Sequence, residues 1–198
     1  MDELVEAAGK STDDTVGTVG RFIAKTGSEL RIHLNRIVNK PIGMSYNGKM
    51  YRNIKDEFTD PTYIVRSATS DADNRFTTGL YLSETKSGNL FEVIHYNNGT
   101  QGRQLYEFSS IEVNNLLDLT DSRTIEILGT TLNDMKLINV DKAYEFTYEV
   151  GIWAKANGYS GIKFYGARGG SSDYANFVIF EENIIKSMIK NYVKPVNW

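Results

Sequence analysis

The chain has 198 residues, 40% of them hydrophobic, enough to bury one substantial core and too few to make two domains the default. It has no cysteine and only two histidines, His33 and His95, which excludes a disulfide framework, a thiolate metal site and a cysteine nucleophile, and no bound metal is expected. A net charge of -3 speaks against an exposed nucleic-acid surface, because phosphate-backbone binding needs clustered Lys and Arg, while a small ligand with a few phosphates remains compatible.

The opening Met1-Asp2-Glu3-Leu4-Val5-Glu6 has no basic region leading into an apolar stretch, and no apolar run approaches the roughly 18 residues of a membrane span. The expectation is a soluble chain without a secretion signal as written. Missing cysteines suit a cytosolic protein and equally a fragment that must unfold or cross a membrane. Residues 1–19 read as a flexible, polar, glycine-bearing lead-in. Gly9-Lys10-Ser11 looks like the end of a phosphate loop, yet the glycine required five positions earlier is Leu4, and no strand precedes it. Within residues 20–48, Phe22, Ile23, Leu30, Ile32, Leu34 and Ile37 recur at roughly helical spacing until Lys40-Pro41 ends the pattern, so this stretch is expected to be a helical segment.

From Tyr51 onward the apolar runs become short or alternating. Strands are predicted at residues 49–53, 78–83, 91–97, 103–108, 116–119, 161–164 and 177–180. Asn98-Gly99 reads as a hairpin turn, and Asn98-Gly99-Thr100 as an accidental glycosylation match. A short helix is predicted at residues 124–132 and a longer one at 143–156, closed by Asn157-Gly158. Many short strands with few helices define an α+β fold, with residues 49–198 as its principal domain.

Several polar residues stand out from this apolar frame. Glu92 lies between Leu90-Phe91 and Val93-Ile94, where a carboxylate must point outward or find a partner, which makes it the strongest acid candidate in the chain. On the strand Gly79-Leu80-Tyr81-Leu82-Ser83, alternation sends Leu80 and Leu82 to one side and Tyr81 and Ser83 to the other. Arg52 and Arg75 sit at strand and loop edges, where a guanidinium can grip phosphate in bidentate fashion, although an arginine is more often a solvated surface charge. Gly166-Ala167-Arg168-Gly169-Gly170-Ser171-Ser172 offers backbone N–H groups and a guanidinium to an anion, against the plainer reading of a flexible turn.

Taken in order, Met50-Tyr51-Arg52, the run from Arg75 to Ser83, Leu90-Phe91-Glu92-Val93, Leu116 to Asp121, and Gly158 to Arg168 resemble the RES domain, a family of bacterial toxins that consume NAD and share a core with the ADP-ribosyltransferases. In that family an arginine precedes an apolar-Tyr-apolar-Ser strand, a glutamate follows, a Leu-Asp-Leu-Thr element intervenes, and Gly-apolar-x-aromatic-Pro-Ser-x-Arg leads to a closing Asn-apolar-apolar-Phe run. Here these look like Arg75, Tyr81 with Ser83, Glu92, Leu117 to Thr120, Gly161 to Arg168, and Asn176 to Phe180. The family's Pro-Ser pair is Tyr165-Gly166 in this chain, so its serine is missing, with Ser171 or Ser172 as stand-ins. A short interval between Arg75 and Tyr81 makes Arg52 and Arg66 rivals for the phosphate role.

The resemblance implies an ADP-ribosyltransferase-like mixed or antiparallel sheet with a few flanking helices, and NAD as substrate. Glu92, Tyr81 and Arg75 would be catalytic, and Arg52, Arg75, Tyr81, Ser83, Arg168 and Ser171 would bind NAD. It implies an antitoxin partner, or an immunity protein if the chain is the C-terminal toxin of a larger secreted protein, acting in the cytoplasm of the producing or target cell. A close rival transfers ADP-ribose to a protein or nucleic acid, with Glu181 or Glu182 activating the acceptor. From a different class, a binding module without turnover is favoured by Gly166 in place of serine. A metal-independent ribonuclease using His33 and His95 is weaker.

Overall fold

A computed structural model describes residues 27–58, 76–97, 99–131, 140–166 and 174–198. In chain order these form helix α1 (Gly27–Asn35), strand β1 (Met44–Lys55), a short 3-10 turn (Asp56–Phe58), β2 (Leu80–Ser83), α2 (Lys86–Asn97), β3 (Arg103–Asp118), α3 (Ser122–Ile127), α4 (Val140–Ala156), β4 (Gly161–Tyr165), β5 (Ala175–Ile179), α5 (Glu182–Tyr192) and β6 (Val193–Val196).

The strands make one mixed sheet in the order β1-β2-β5-β4-β3-β6, and β1 also pairs with β3, so the hydrogen-bonded circuit returns on itself. All pairings are antiparallel except β3 with β4. Side-chain alternation then divides the molecule into two cores. On one face, Met50, Ile54, Leu80, Leu82, Phe108, Leu116, Phe177 and Ile179 meet Ile185, Met188 and Ile189 of α5. On the other, Leu117, Ile162, Phe164, Val178 and Phe180 meet Leu30 and Leu34 of α1 and Phe146, Val150 and Trp153 of α4. Arg31 of α1 grips Glu149 of α4 with two hydrogen bonds of 2.9 and 2.6 Å, which fixes the helix pair.

The α+β class and most predicted elements agree with this structure, with four corrections, the first being that within the expected helical segment 20–48 the described helix is only Gly27–Asn35, and Met44 to Gly48 belong to β1, where they pair with β3. Residues 91–97 are not a strand but part of α2. The apolar run misled because Phe91 and Ile94 are exposed, whereas the side turned inward, Asn89, Glu92 and Val93, follows helical spacing. Gly99 therefore belongs to the connection from a helix to a strand and not to a hairpin, while Asn98 lies outside the described residues. Residues 103–108 and 116–119 are not two strands: the continuous β3 spans Arg103–Asp118, and its pairing with β1 absorbs register shifts between Met44 and Tyr46 and between Gly48 and Met50.

Candidate functional site

The site is built where α2 lies over β1, β2 and β5, on the sheet face shared with α1 and α4. Ser83 of β2 is paired with Tyr51 of β1 on one side and with Asn176 of β5 on the other. Directly opposed residues point the same way, so Tyr51, Asn53, Tyr81, Ser83 and Asn176 share this face. From above, α2 contributes Asn89 and Glu92, three residues apart and so on one side of the helix.

Glu92 is half-buried. Its Oε1 accepts two hydrogen bonds of 2.9 Å, one from the Tyr174 hydroxyl and one from Asn176 Nδ2. Among the described residues no donor reaches Oε2. Two donors on one oxygen fix the plane of the carboxylate and present the second oxygen as an acceptor. Asn176 Oδ1 in turn accepts from the Ser83 hydroxyl at 2.8 Å, and Asn89 Nδ2 donates to Ser83 Oγ at 3.5 Å and to the Tyr51 carbonyl at 3.4 Å. Ser83, Asn89 and Asn176 are all buried, so this mutual satisfaction is what their burial requires.

Tyr174 fills the space beside Gly166. Its ring stacks on Phe91 with centroids 5.9 Å apart and passes beside two glycines. A Cβ on Gly88 would come within 2.5 Å of ring atom Cδ2, and one on Gly166 would overlap Cε2 and Cζ. The space beside Gly166 is thus filled by an aromatic ring, whose hydroxyl donates to Glu92. Ser171 and Ser172, the expected stand-ins, lie outside the described residues.

The remaining expected site residues divide. Tyr81 is half-buried, packs edge-on to Phe164 at 6.4 Å, accepts a 2.7 Å hydrogen bond from the Phe76 N–H, and donates to the Thr77 carbonyl at 3.2 Å. Its hydroxyl therefore pins the segment that immediately follows Arg75, a segment in which Thr77 has φ of 71°, a strained value for a β-branched residue. Gly151 of α4 lets that segment approach, since a Cβ there would strike the Phe76 backbone. Arg52 alternates with Met50 and Ile54, which puts its side chain on the α5 face, and it donates to the Tyr81 carbonyl at 3.0 Å. It is not brought beside Glu92. Arg66, Arg75 and Arg168 lie outside the described residues.

Glu181 accepts a 3.0 Å hydrogen bond from Ser160, and the exposed Glu182 pairs with Lys186 at 2.5 Å, which holds its carboxyl below the usual range. His33 lies on α1 and His95 on α2.

Asn53, Asn89, Tyr174 and Asn176 were absent from the expected site. The signal for Asn176 was available: a lone amide within Ala175-Asn176-Phe177-Val178-Ile179 poses the same question as Glu92 within its own run. Asn89 needed the helical reading of α2, which puts it on the side of Glu92.

No protein-family model matches the sequence, and no curated protein shows significant similarity to it. The two-core mixed sheet nevertheless has a counterpart among solved structures. It matches a chain of the M. tuberculosis MbcT–MbcA toxin–antitoxin complex, with a TM-score of 0.51 and 14% identity over 87% of this chain and 91% of that one. The fold implied by the order of the sequence motifs is thus the fold found, at an identity where only the fold is shared.

Proposed function

We propose that this protein is a toxin enzyme that depletes NAD by cleaving the bond between nicotinamide and ribose, with water as acceptor. The observation that carries the reading is Glu92, fixed through Oε1 by Tyr174 and Asn176 with Oε2 presented, on a fold similar to that of a toxin. As the glycosidic bond breaks, its electron pair leaves with nicotinamide, which departs neutral, and positive charge develops on the ribose. A fixed carboxylate oxygen stabilises that charge more in the transition state than in the ground state. Water then adds to the ribose carbon and releases a proton, giving ADP-ribose.

In this reading Arg75, Arg168 and Ser171 hold the pyrophosphate, and Tyr81 serves by anchoring the chain beside Arg75 and by offering its ring edge to the nicotinamide ribose. Ser83 acts through Asn176. Arg52 supports the Tyr81 backbone from the opposite face. A protein antitoxin is the expected partner, since the matched chain comes from a toxin–antitoxin complex. Delivery as the C-terminal toxin of a larger secreted protein draws no support from that match.

The test is release of nicotinamide from NAD by the purified protein, with and without cell lysate. Release that needs no lysate, and falls at least 100-fold in Glu92→Gln and Arg75→Ala with unchanged melting temperatures, is the expected result, on the scale of removing one transition-state contact. Release only with lysate would indicate transfer to an acceptor. No release in either condition would return the protein to the class of binding modules.

A further inference from the structure

The hydrogen bonds beneath α2 form one directed chain. The Arg103 guanidinium donates to Asn53 Oδ1, Asn53 Nδ2 donates to Asn89 Oδ1 at 3.1 Å, and Asn89 Nδ2 donates to Ser83 Oγ at 3.5 Å. The Ser83 hydroxyl donates to Asn176 Oδ1 at 2.8 Å, and Asn176 Nδ2 donates to Glu92 Oε1 at 2.9 Å. Every link points the same way, from a cation that can only donate to a carboxylate that can only accept. Reversing Asn53 would set like against like at both of its ends, and reversing Asn89 or Asn176 would do so at Asn53 or at Glu92, the Ser83 hydroxyl between them being able to donate or accept. The charged termini therefore select a single orientation for all four neutral groups between them, and each link polarises the next.

We infer that Arg103, Asn53 and Asn89 are positioning residues for Glu92, acting through Ser83 and Asn176 to aim the amide of Asn176 at Oε1 and leave Oε2 for substrate. The inference rests on the reading of Glu92 as the catalytic carboxylate. Geometry separates this role from ordinary packing. Arg103 stands at the start of β3, at the far end of the chain of hydrogen bonds, and is joined to Glu92 through residues on β1, α2, β2 and β5. A cation so placed needs no contact with NAD to influence the reaction.

Two measurements test this on the intact protein. In the first, side-chain amide resonances of Asn53, Asn89 and Asn176 are followed by NMR in Arg103→Met, which removes charge and donor, and in Arg103→Lys, which keeps a donating cation. The Asn176 amide should move in Arg103→Met, largely return in Arg103→Lys, and cease to respond to Arg103 once Asn89→Asp removes the donor in the middle. An Asn176 amide that ignores Arg103 overturns the inference whether or not the protein cleaves NAD.

In the second, Arg103→Met should lower kcat for nicotinamide release by roughly threefold to tenfold, the range for substitutions in coupled polar networks, with KM changed by less than about twofold and Arg103→Lys rescuing most of the loss. An unchanged kcat, or a loss that merely tracks melting temperature and is not rescued by lysine, overturns it. Coupling seen by NMR in a wild-type protein that releases no nicotinamide would instead overturn the NAD reading alone.

Discussion

At the scale of single residues, two acids of this chain, the half-buried Glu92 and the buried Glu107, are defined by their donors. Glu92 has two on one oxygen and none among the described residues on the other, whereas Glu107 is saturated. Ser109, Lys194, Lys49 and Tyr51 all donate to the Glu107 carboxylate, at 2.8, 3.2, 3.2 and 3.2 Å. The Ser109 hydrogen bond, followed by those from Lys194, Lys49 and Tyr51, outweighs burial and brings its pKa down to about 2 from an ordinary 4.5. Because the folded value lies below the unfolded one, the stabilisation is present above about pH 4.5 and is lost as pH falls from there toward 2. Glu107→Gln should therefore flatten the acid side of a melting-temperature profile between those limits while lowering the melting temperature at pH 7. A variant that keeps the wild-type slope would assign the acid sensitivity to another carboxylate.

At the scale of elements, the β4–β5 pair and α2 form one unit joined by Tyr174. Gly166 closes β4 by donating its N–H to the Tyr174 carbonyl at 3.1 Å, so the residue that ends one strand also leaves space for the ring that precedes the next. Adding a side chain at this position should harm the site: Gly166→Ser is expected to cost about 1–3 kcal/mol by overpacking. If the proposed activity holds, it should also reduce nicotinamide release more than Tyr174→Phe, which loses one hydrogen bond and keeps the ring in place. Urea denaturation and turnover of the two variants measure both effects, and a fully active Gly166→Ser protein would show that the ring moves aside freely.

Across the whole molecule, the sheet is covered on both faces, and its central strands read as continuous apolar runs because each successive side chain enters a different core. All five residues of β5 are buried. Phe177 is fully buried on the α5 face, its ring 4.6 Å from that of Tyr46. Phe177→Ala should cost about 3–5 kcal/mol in chemical denaturation, and a much smaller loss would mean that the α5 core collapses to fill the space. Among the described residues no helix is long and apolar enough to cross a membrane.

The sequence by itself determined the α+β class, the positions of β2, β4, β5 and α4, and that Glu92 must find a partner or face outward, because these depend on local facts: alternation, a glycine stop, and one charge within an apolar run. Residue order along the chain also carried the fold resemblance. It put Glu92 on a strand where the fold has a helix, since Leu90-Phe91-Glu92-Val93-Ile94 satisfies either pattern until packing shows which side is buried. Only the tertiary structure placed Arg52 and Glu92 on opposite faces of the sheet, put the Tyr174 ring in the space left by Gly166, and aligned five hydrogen bonds from Arg103 to Glu92. Those relations join residues up to 93 positions apart, Ser83 and Asn176, which no local pattern connects and which meet only when the strands pair.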